Sequence, residues 1–438
     1  MTRRRQSNRP TNCELLFSWL VCLLFLFLSC RTSWERLENC GFFYPSYQSW
    51  EISEWLINYQ GGFVRRGLAG QVLWMLEQWH PFDVRVAITL FCIICTMVVL
   101  WVIVRIFNRR GWALLIIPTG FCLGFTMFST WARRDFLSLM LAYAIFVLFR
   151  HVARNPGKRA GWIAFYLVSA TQLLIHEASF FYTFPILVLL DYHNSRRNQP
   201  IARRAIPTLL RFLPVLLVMA LVCLFKGNEA IARTVWASWE PIISRYQPDA
   251  TTIGNGVGAL GWDTGAIIPY HLVTSLVGHA HPSAWRIPLV LFNLLAGYFL
   301  LTRLDSVNMG LYRTRPMDHA FMSDVAVIQF IALLPMFTVL SCDWGRTLPY
   351  WVITSFLLYH TFKDEPVAFP PLLSRMSIGV QRFITGNRLL RSPHFYILIA
   401  LLAPVPYYFA PLDHINTMQQ RAWFLLTDAF HTILTTIS

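Results

Sequence analysis

Runs of apolar residues long enough to cross a lipid bilayer recur along the whole chain, separated by shorter polar connections. A bilayer core needs roughly 20 mostly apolar residues per helix. The pattern therefore predicts an all-α fold, a polytopic transmembrane helical bundle of about 11 spans in a single integral membrane domain, residues 1–438. The predicted spans are residues 15–30, 84–107, 112–130, 136–152, 161–176, 178–192, 208–225, 285–302, 320–341, 348–362 and 395–410.

The connections between the spans carry their own helical patterns. The two longest are residues 31–83 and 226–284. Within the first, residues 47–59 read as an amphipathic helix with Trp50 and Trp55 as interface anchors. Residues 416–437 are short and polar enough to favour an interfacial amphipathic helix, with a twelfth span as the alternative.

Composition and charge support a membrane protein and orient it. Of 438 residues, 55% are hydrophobic and 13% charged, which leaves little sequence for a soluble domain. The net charge of +15 comes from Lys and Arg gathered in alternate connections, the pattern of cytoplasmic loops rather than of nucleic-acid binding. This bias predicts a cytoplasmic N-terminus and places loops 31–83 and 226–284 outside. Residues 15–30 are expected to be a retained helix, with a signal peptide as the alternative.

Four charged clusters oppose this bias because they fall on the predicted outer face. Charged groups near a membrane are costly and are more often retained where they have a role; the alternative is that they pair with one another and tie the helices together. The clusters are Arg65-Arg66, Arg133-Arg134-Asp135, His176-Glu177 and Asp343-Trp344-Gly345-Arg346.

The first cluster lies in the segment GGFVRRGLAG, residues 61–70, which precedes a helix-like run. Glycines, two guanidinium groups and a helix N-terminus favour a phosphate site; a basic turn touching lipid headgroups is the alternative. No Walker-type loop or dinucleotide fingerprint is present in the sequence. Glu51 and Glu54, spaced three residues apart, share one face of the helix predicted just before it.

The other three clusters occupy short turns and leave alternatives open. Asp135 could cap the following helix. His176 and Glu177 could form a base with its orienting partner, an acid and a base, or a buried pair that joins helices. Asp343 and Arg346 could pair with each other or serve a substrate.

The second outer loop adds Arg245 to the candidate phosphate ligands. Its histidines, His271, His279 and His281, do not have the spacing of a metal site on one helix. We expect neither a metal nor a cofactor, because arginines can supply the positive charge.

The layout, together with the segments GGFVRRGLAG (residues 61–70) and DWGR (residues 343–346), resembles two classes of envelope polysaccharide enzyme. These are Wzy-like O-antigen polymerases and polyprenyl-phosphate-dependent glycosyltransferases of the GT-C superfamily. Wzy-like polymerases often carry an arginine and a glycine separated by ten residues, as Arg245 and Gly256 are here. The GT-C pattern has an acidic residue in the first outer loop, where Glu51 and Glu54 lie.

The resemblance implies glycosyl transfer at the periplasmic face of a bacterial inner membrane. The implied partners are a polyprenyl-linked sugar or oligosaccharide donor, a glycan acceptor and membrane lipids, without nucleic acid. Alternatives are a transporter or flippase of an anionic lipid or lipid-linked glycan, and a non-catalytic scaffold. The sequence leaves open the sugar and whether the product is a polymer. Candidate catalytic residues are Asp343, Glu177, Glu51, Glu54 and His176; candidate phosphate ligands are Arg65, Arg66, Arg133, Arg134, Arg346 and Arg245.

Overall fold

The computed structural model describes residues 45–107, 132–194, 201–277, 319–341, 344–365 and 369–390, with short stretches between 294 and 302. Every regular element in these residues is helical, which confirms the all-α class.

The predicted helices 15–30, 112–130, 395–410 and 416–437, and most of 285–302, lie outside the described residues. The helices are α1 Trp50–Ser53, α2 Gly67–Trp79, α3 Val84–Phe107, α4 Asp135–Arg154, α5 Arg159–Ile175, α6 Ser179–Asn194, α7 Ile201–Leu224, α8 Glu229–Tyr246, α9 Asn255–Gly258, α10 Thr264–Val277, α11 His319–Thr338, α12 Trp344–Phe362 and α13 Pro371–Gly386.

Three of the described helices are long and apolar enough to cross a membrane: Asp135–Arg154, Arg203–Leu224 and Ala320–Thr338. Val84–Val99 and Arg159–Ile175 are shorter apolar helices. The predicted count of about 11 spans is thus not confirmed by the described residues. Some bounds differ from the apolar runs: α7 begins earlier, at Ile201, and α12 begins earlier, at Trp344, because a helix can extend past its apolar part. Helix α11 ends earlier than its apolar run, at Thr338.

The long helices α4 and α12 run side by side in the same direction. At their starts Arg346 of α12 donates to Asp135 of α4, with its Nη2 2.6 Å from Oδ1. Near their ends Arg150 Nη1 donates to the Thr361 carbonyl at 3.0 Å, and Arg154 pairs with Glu365. The bundle therefore has two distinct ends. We call the one at the starts of α4 and α12 the cluster end, and the one at their last turns the basic end.

The two long connections pack against each other at the cluster end and form a layer of residues 45–83 and 226–262, here called the loop layer. The Asn255 amide donates to the Gln48 carbonyl at 3.1 Å, and Trp239 Nε1 donates to the Leu56 carbonyl at 2.7 Å. Trp55 Nε1 donates to the Ala132 carbonyl at 2.5 Å, which attaches the layer to the bundle.

The single amphipathic helix predicted over residues 47–59 is wrong. The structure has only α1 and a 3-10 turn, Glu54–Leu56, after which Ile57 is extended. An amphipathic surface helix needs one exposed face, but Ile52, Glu54 and Leu56 are all buried. The Leu56 carbonyl accepts a hydrogen bond from Trp239 Nε1 and therefore does not continue the helix.

Helix α2 lies close to this segment because of a glycine. A Cβ on Gly70 would lie 2.1 Å from the Ile57 carbonyl oxygen and 2.6 Å from that of Trp55. Contacts this short force backbone to move, so only glycine fits at this position.

We expect Gly70→Ala to lower the free energy of unfolding by about 1–3 kcal/mol or more, as overpacking does. Thermal unfolding of the detergent-solubilised protein, followed by tryptophan fluorescence, measures the change. Gly157→Ala is the matched control, because a Cβ there meets nothing within 4 Å. Equal unfolding temperatures for the two variants would contradict this account of the packing.

Candidate functional site

The segment 61–70 turns sharply at the cluster end before α2 begins. Arg66 has φ of +64°, the one non-glycine residue with positive φ in the described part of the chain. A side chain in this left-handed region costs roughly 1–2 kcal/mol and is retained where the surroundings hold it. Beside it, the Arg65 amide donates to the Phe225 carbonyl at 2.9 Å, which ties the turn to the end of α7.

Glu177 holds Arg66 in this position. The carboxylate lies in the tight turn between α5 and α6, and accepts from Arg66 Nε at 2.7 Å and from Arg66 Nη2 at 2.6 Å. Arg65 Nη1 lies 3.5 Å from the same carboxylate. Burial opposes ionisation, yet the two arginines outweigh it and hold the pKa of Glu177 well below its usual range. Glu177 is therefore ionised and clamped.

Arg134 lies behind this pair and is fully buried. Its Nη1 donates to the Ile175 carbonyl at 2.7 Å, and its guanidinium lies over the Trp55 ring at 5.4 Å. Glu54 Oε1 lies 3.9 Å from Arg134 Nε, which is an ion pair but not a hydrogen bond. Burial lowers the pKa of Arg134 to about 10, so it remains charged at neutral pH.

Several polar atoms at this position have no hydrogen-bond partner among the described residues. They include Arg134 Nε and Nη2, Glu54 Oε1 and His176 Nδ1. A buried polar group without a partner costs about 1–3 kcal/mol, and such groups are normally satisfied by water or a ligand. The interior of the cluster therefore has capacity for further polar atoms.

Asp135 is another buried carboxylate, and the capping role that the sequence left open for it is wrong. It is the first residue of α4, and the capping position belongs to Arg134. Its Oδ1 accepts from Arg346 Nε at 3.0 Å and Nη2 at 2.6 Å, and also from the Tyr350 hydroxyl. The alternative pairing of Arg346 with Asp343 concerns a residue outside the described part of the chain; Arg346 itself binds Asp135.

Arg133 and Glu51 form a looser ion pair of the site. Their side chains approach to 3.5 Å and are 14% and 16% exposed. A contact of this length is looser than the Glu177 clamp, so a substrate could displace it more readily.

The structure thus brings three of the predicted clusters and part of the fourth to one place, together with both glutamates of the first loop. We call this group the arginine cluster. Five guanidinium groups face four carboxylates among the described residues, which leaves an excess of positive charge. Its members are Arg65, Arg66, Arg133, Arg134, Arg346, Glu51, Glu54, Asp135 and Glu177, with His176 beside them.

His176 is neutral within this group. Burial lowers its pKa to about 4, and Arg66 adds to the effect. A neutral imidazole can donate or accept one hydrogen bond, but with this pKa it is a weak general base at neutral pH. The predicted acid–base pairing with Glu177 is not what the geometry favours, because Glu177 is engaged by arginines.

Arg245, the remaining predicted phosphate ligand, lies elsewhere. Its Nη1 pairs with Glu77 Oε1 at 3.0 Å, and Glu77 lies near the end of α2, about 16 Å along the helix from Arg66. Asp343 lies outside the described residues. Within the described ranges, no group of three or more His, Cys, Asp or Glu residues could hold a metal ion.

Tyr350 is a site residue that sequence reasoning missed. Its hydroxyl binds Asp135, and it lies one helical turn after Arg346 on α12. Residues four apart share a helix face, so the spacing Arg346–Tyr350 is the signal that could have identified it.

Residues 40–241 match the model of a family described as "Uncharacterised membrane protein Rv1490". The matched stretch, somewhat less than half of the chain, contains every member of the arginine cluster except Arg346. Neither the curated proteins nor the solved structures give a match. Together with the apolar helices, the family match supports a helical membrane protein and carries no information on its activity.

We expect the stability of the protein to fall as the pH drops from about 6.5 towards 4, because His176 resists protonation in the folded state and accepts a proton when unfolded. The full difference is on the order of 3 kcal/mol. Thermal unfolding between pH 7.5 and 4.5 measures this loss of stability. The range is chosen because most carboxyl groups titrate below it.

The His176→Gln variant should have a flatter pH profile in this range. The exposed His80→Gln variant is the control and should keep the wild-type slope. If His176→Gln and wild type lose stability in parallel, the histidine is not the group responsible.

Proposed function

We propose that the chain is an integral membrane glycosyltransferase or polysaccharide polymerase that acts on polyprenyl-(pyro)phosphate-linked saccharides. The arginine cluster would be its active site, at the periplasmic face of a bacterial inner membrane, with the N-terminus in the cytoplasm. The donor sugar–phosphate bond would supply the free energy of the reaction.

The observation that carries the proposal is the convergence of five arginines from three separate parts of the chain. Guanidinium groups bind phosphate oxygens in a bidentate manner, and a partly desolvated excess of positive charge favours a diphosphate. Arg65, Arg66 and Arg346 are 30%, 22% and 18% exposed, so part of each side chain is open to the outside. Arg134, which is fully buried beneath them, adds a further positive charge.

In the proposed reaction, an acceptor hydroxyl oxygen attacks the anomeric carbon of the donor sugar. The bond from that carbon to the phosphate oxygen breaks, and its electron pair stays on the leaving phosphate. Arg65, Arg66 and Arg346 stabilise the charge that develops there. A carboxylate takes the proton of the acceptor hydroxyl.

Among the described carboxylates of the arginine cluster, Glu51 best fits the role of base. Glu54 and Asp135 are fully buried, and Glu177 is held by short hydrogen bonds from Arg66. Glu51 makes a longer contact, 3.5 Å to Arg133, and is therefore held less tightly. Phosphate binding to Arg133 would release Glu51 for proton transfer, whereas Glu177 and Asp135 would hold Arg66 and Arg346 in place.

We expect Glu51→Gln and Arg346→Gln each to reduce glycan formation roughly 100-fold, because each removes a group that acts in the transition state. Arg346→Lys should restore only part of the activity, since an ammonium group keeps the charge but cannot make the bidentate hydrogen bonds of a guanidinium group. The measurement is the length distribution of envelope glycans and of lipid-linked saccharides in cells that carry each variant as the sole copy.

Arg233→Gln is the matched control, because Arg233 is in the same loop layer, 70% exposed and paired with Glu229. Protein levels in isolated membranes must be equal for all variants. Wild-type glycans in Glu51→Gln and Arg346→Gln cells would overturn the proposal. Loss of polymer with retained single units would identify a polymerase, and loss of one side-branch sugar would identify a single-sugar transferase.

A second candidate function, transport or flipping of an anionic lipid or lipid-linked glycan, is favoured by polar groups inside the bundle. The Tyr182 hydroxyl lies 2.5 Å from Ser138 Oγ, and its ring stacks on Tyr350 next to Asp135. Deeper, Gln329 Nε2 donates to the Tyr182 carbonyl and to Thr354 Oγ1, both at 2.8 Å. Such polar groups behind a charged site are typical of a pathway through the membrane. Reconstituted protein that moves a fluorescent anionic lipid across liposomes without transferring sugar would favour this function.

A further inference from the structure

Helix α13 lies at the basic end of the bundle, in a stretch expected only to be a basic connection. Pro370 and Pro371 begin it, as proline does at a helix start. Ser377 Oγ donates to Ser323 Oγ at 2.7 Å, and Ser374 Oγ donates to Asp324 Oδ2 at 3.1 Å. Both partners lie in the first two turns of α11, so α13 is fixed against the end of that helix.

The outward side of α13 carries two different stripes. Leu372, Met376 and Phe383, spaced four and seven residues apart, lie on one flank and are 69%, 46% and 66% exposed. Arg375 and Arg382, seven residues apart, lie on the side away from α11 and are exposed.

The charged residues of α13 itself are all basic, whereas its neighbours at this end include Asp324 of α11 and Glu365. Residues 366–390 contain no acidic residue, and Arg388 follows the helix. The same end of the bundle carries the exposed Lys158 and Arg159 in the turn between α4 and α5. A second copy of this chain would bring the same positive charges and be repelled.

We propose that α13 is an interfacial helix that binds anionic phospholipids of the surrounding bilayer. Leu372, Met376 and Phe383 insert among the upper acyl chains, and Arg375 and Arg382 contact the phosphate headgroups. A helix with an apolar flank beside a basic face lies in the plane of the interface, and basic residues near an anionic leaflet are attracted to it. This surface is at the opposite end of the bundle from the arginine cluster and does not depend on the proposed function.

The test measures lipid binding by the intact protein. Wild type and the Arg375→Gln/Arg382→Gln variant are solubilised in a neutral detergent and titrated with phosphatidylglycerol or phosphatidylcholine. Retained lipid is measured by native mass spectrometry, and stabilisation is measured by thermal unfolding. We expect the variant to bind phosphatidylglycerol roughly fivefold more weakly for each arginine removed, with unchanged binding of phosphatidylcholine.

The Lys158→Gln/Arg159→Gln variant loses the same charge at the same end without the apolar flank, and should bind phosphatidylglycerol nearly as wild type does. Equal losses in the two variants would overturn the proposal, because net charge alone would then explain them. Leu372→Ser/Phe383→Ser keeps the arginines and should weaken retention of both lipids. If it instead converts a dimer to a monomer, the flank is a contact between copies and the proposal is wrong.

Discussion

Arginines can lie together at the end of an apolar bundle only if carboxylates compensate their charge, and the ion pair of Glu177 with Arg66 is the centre of that compensation. Glu177 is fixed by the tight turn between α5 and α6, and Arg66 is fixed by a left-handed backbone at the start of α2. One partner belongs to the bundle and the other to the loop layer. The pair therefore joins the two parts of the structure and also sets the direction of the guanidinium groups.

The same principle applies to Arg346 with Asp135, which joins α12 to α4, and to Arg133 with Glu51, which joins the bundle to α1. For most of these groups, removal of the partner would leave an uncompensated buried charge, which strongly destabilises the fold. Structural pairing and function are thus not alternatives here. Pairing keeps the arginines charged and positioned, and the excess of one positive charge among the described residues, with unsatisfied donors on Arg134, leaves room for an anion.

The two ends of the bundle differ in how they carry positive charge. At the cluster end, arginines are partly buried and matched by carboxylates. At the basic end, Arg375, Arg382 and their neighbours are exposed and have few acidic residues near them in sequence. Exposed basic residues suit the broad field of a lipid surface, whereas matched, partly buried arginines suit a defined ligand.

The sequence by itself determined the helical class, the approximate bounds of the long apolar helices and the residues that belong to the arginine cluster, because apolar runs and misplaced charges are local properties of the chain. It predicted one long helix over residues 47–59, where only short helical turns form, since burial on all sides cannot be read from periodicity. It also grouped Arg245 with the cluster. Only the tertiary structure decided which charges meet: Arg66 with Glu177, Arg134 with Glu54 and Arg346 with Asp135 are each separated by many tens of residues. Such pairings follow from how the helices and the loop layer pack, and no local pattern encodes them.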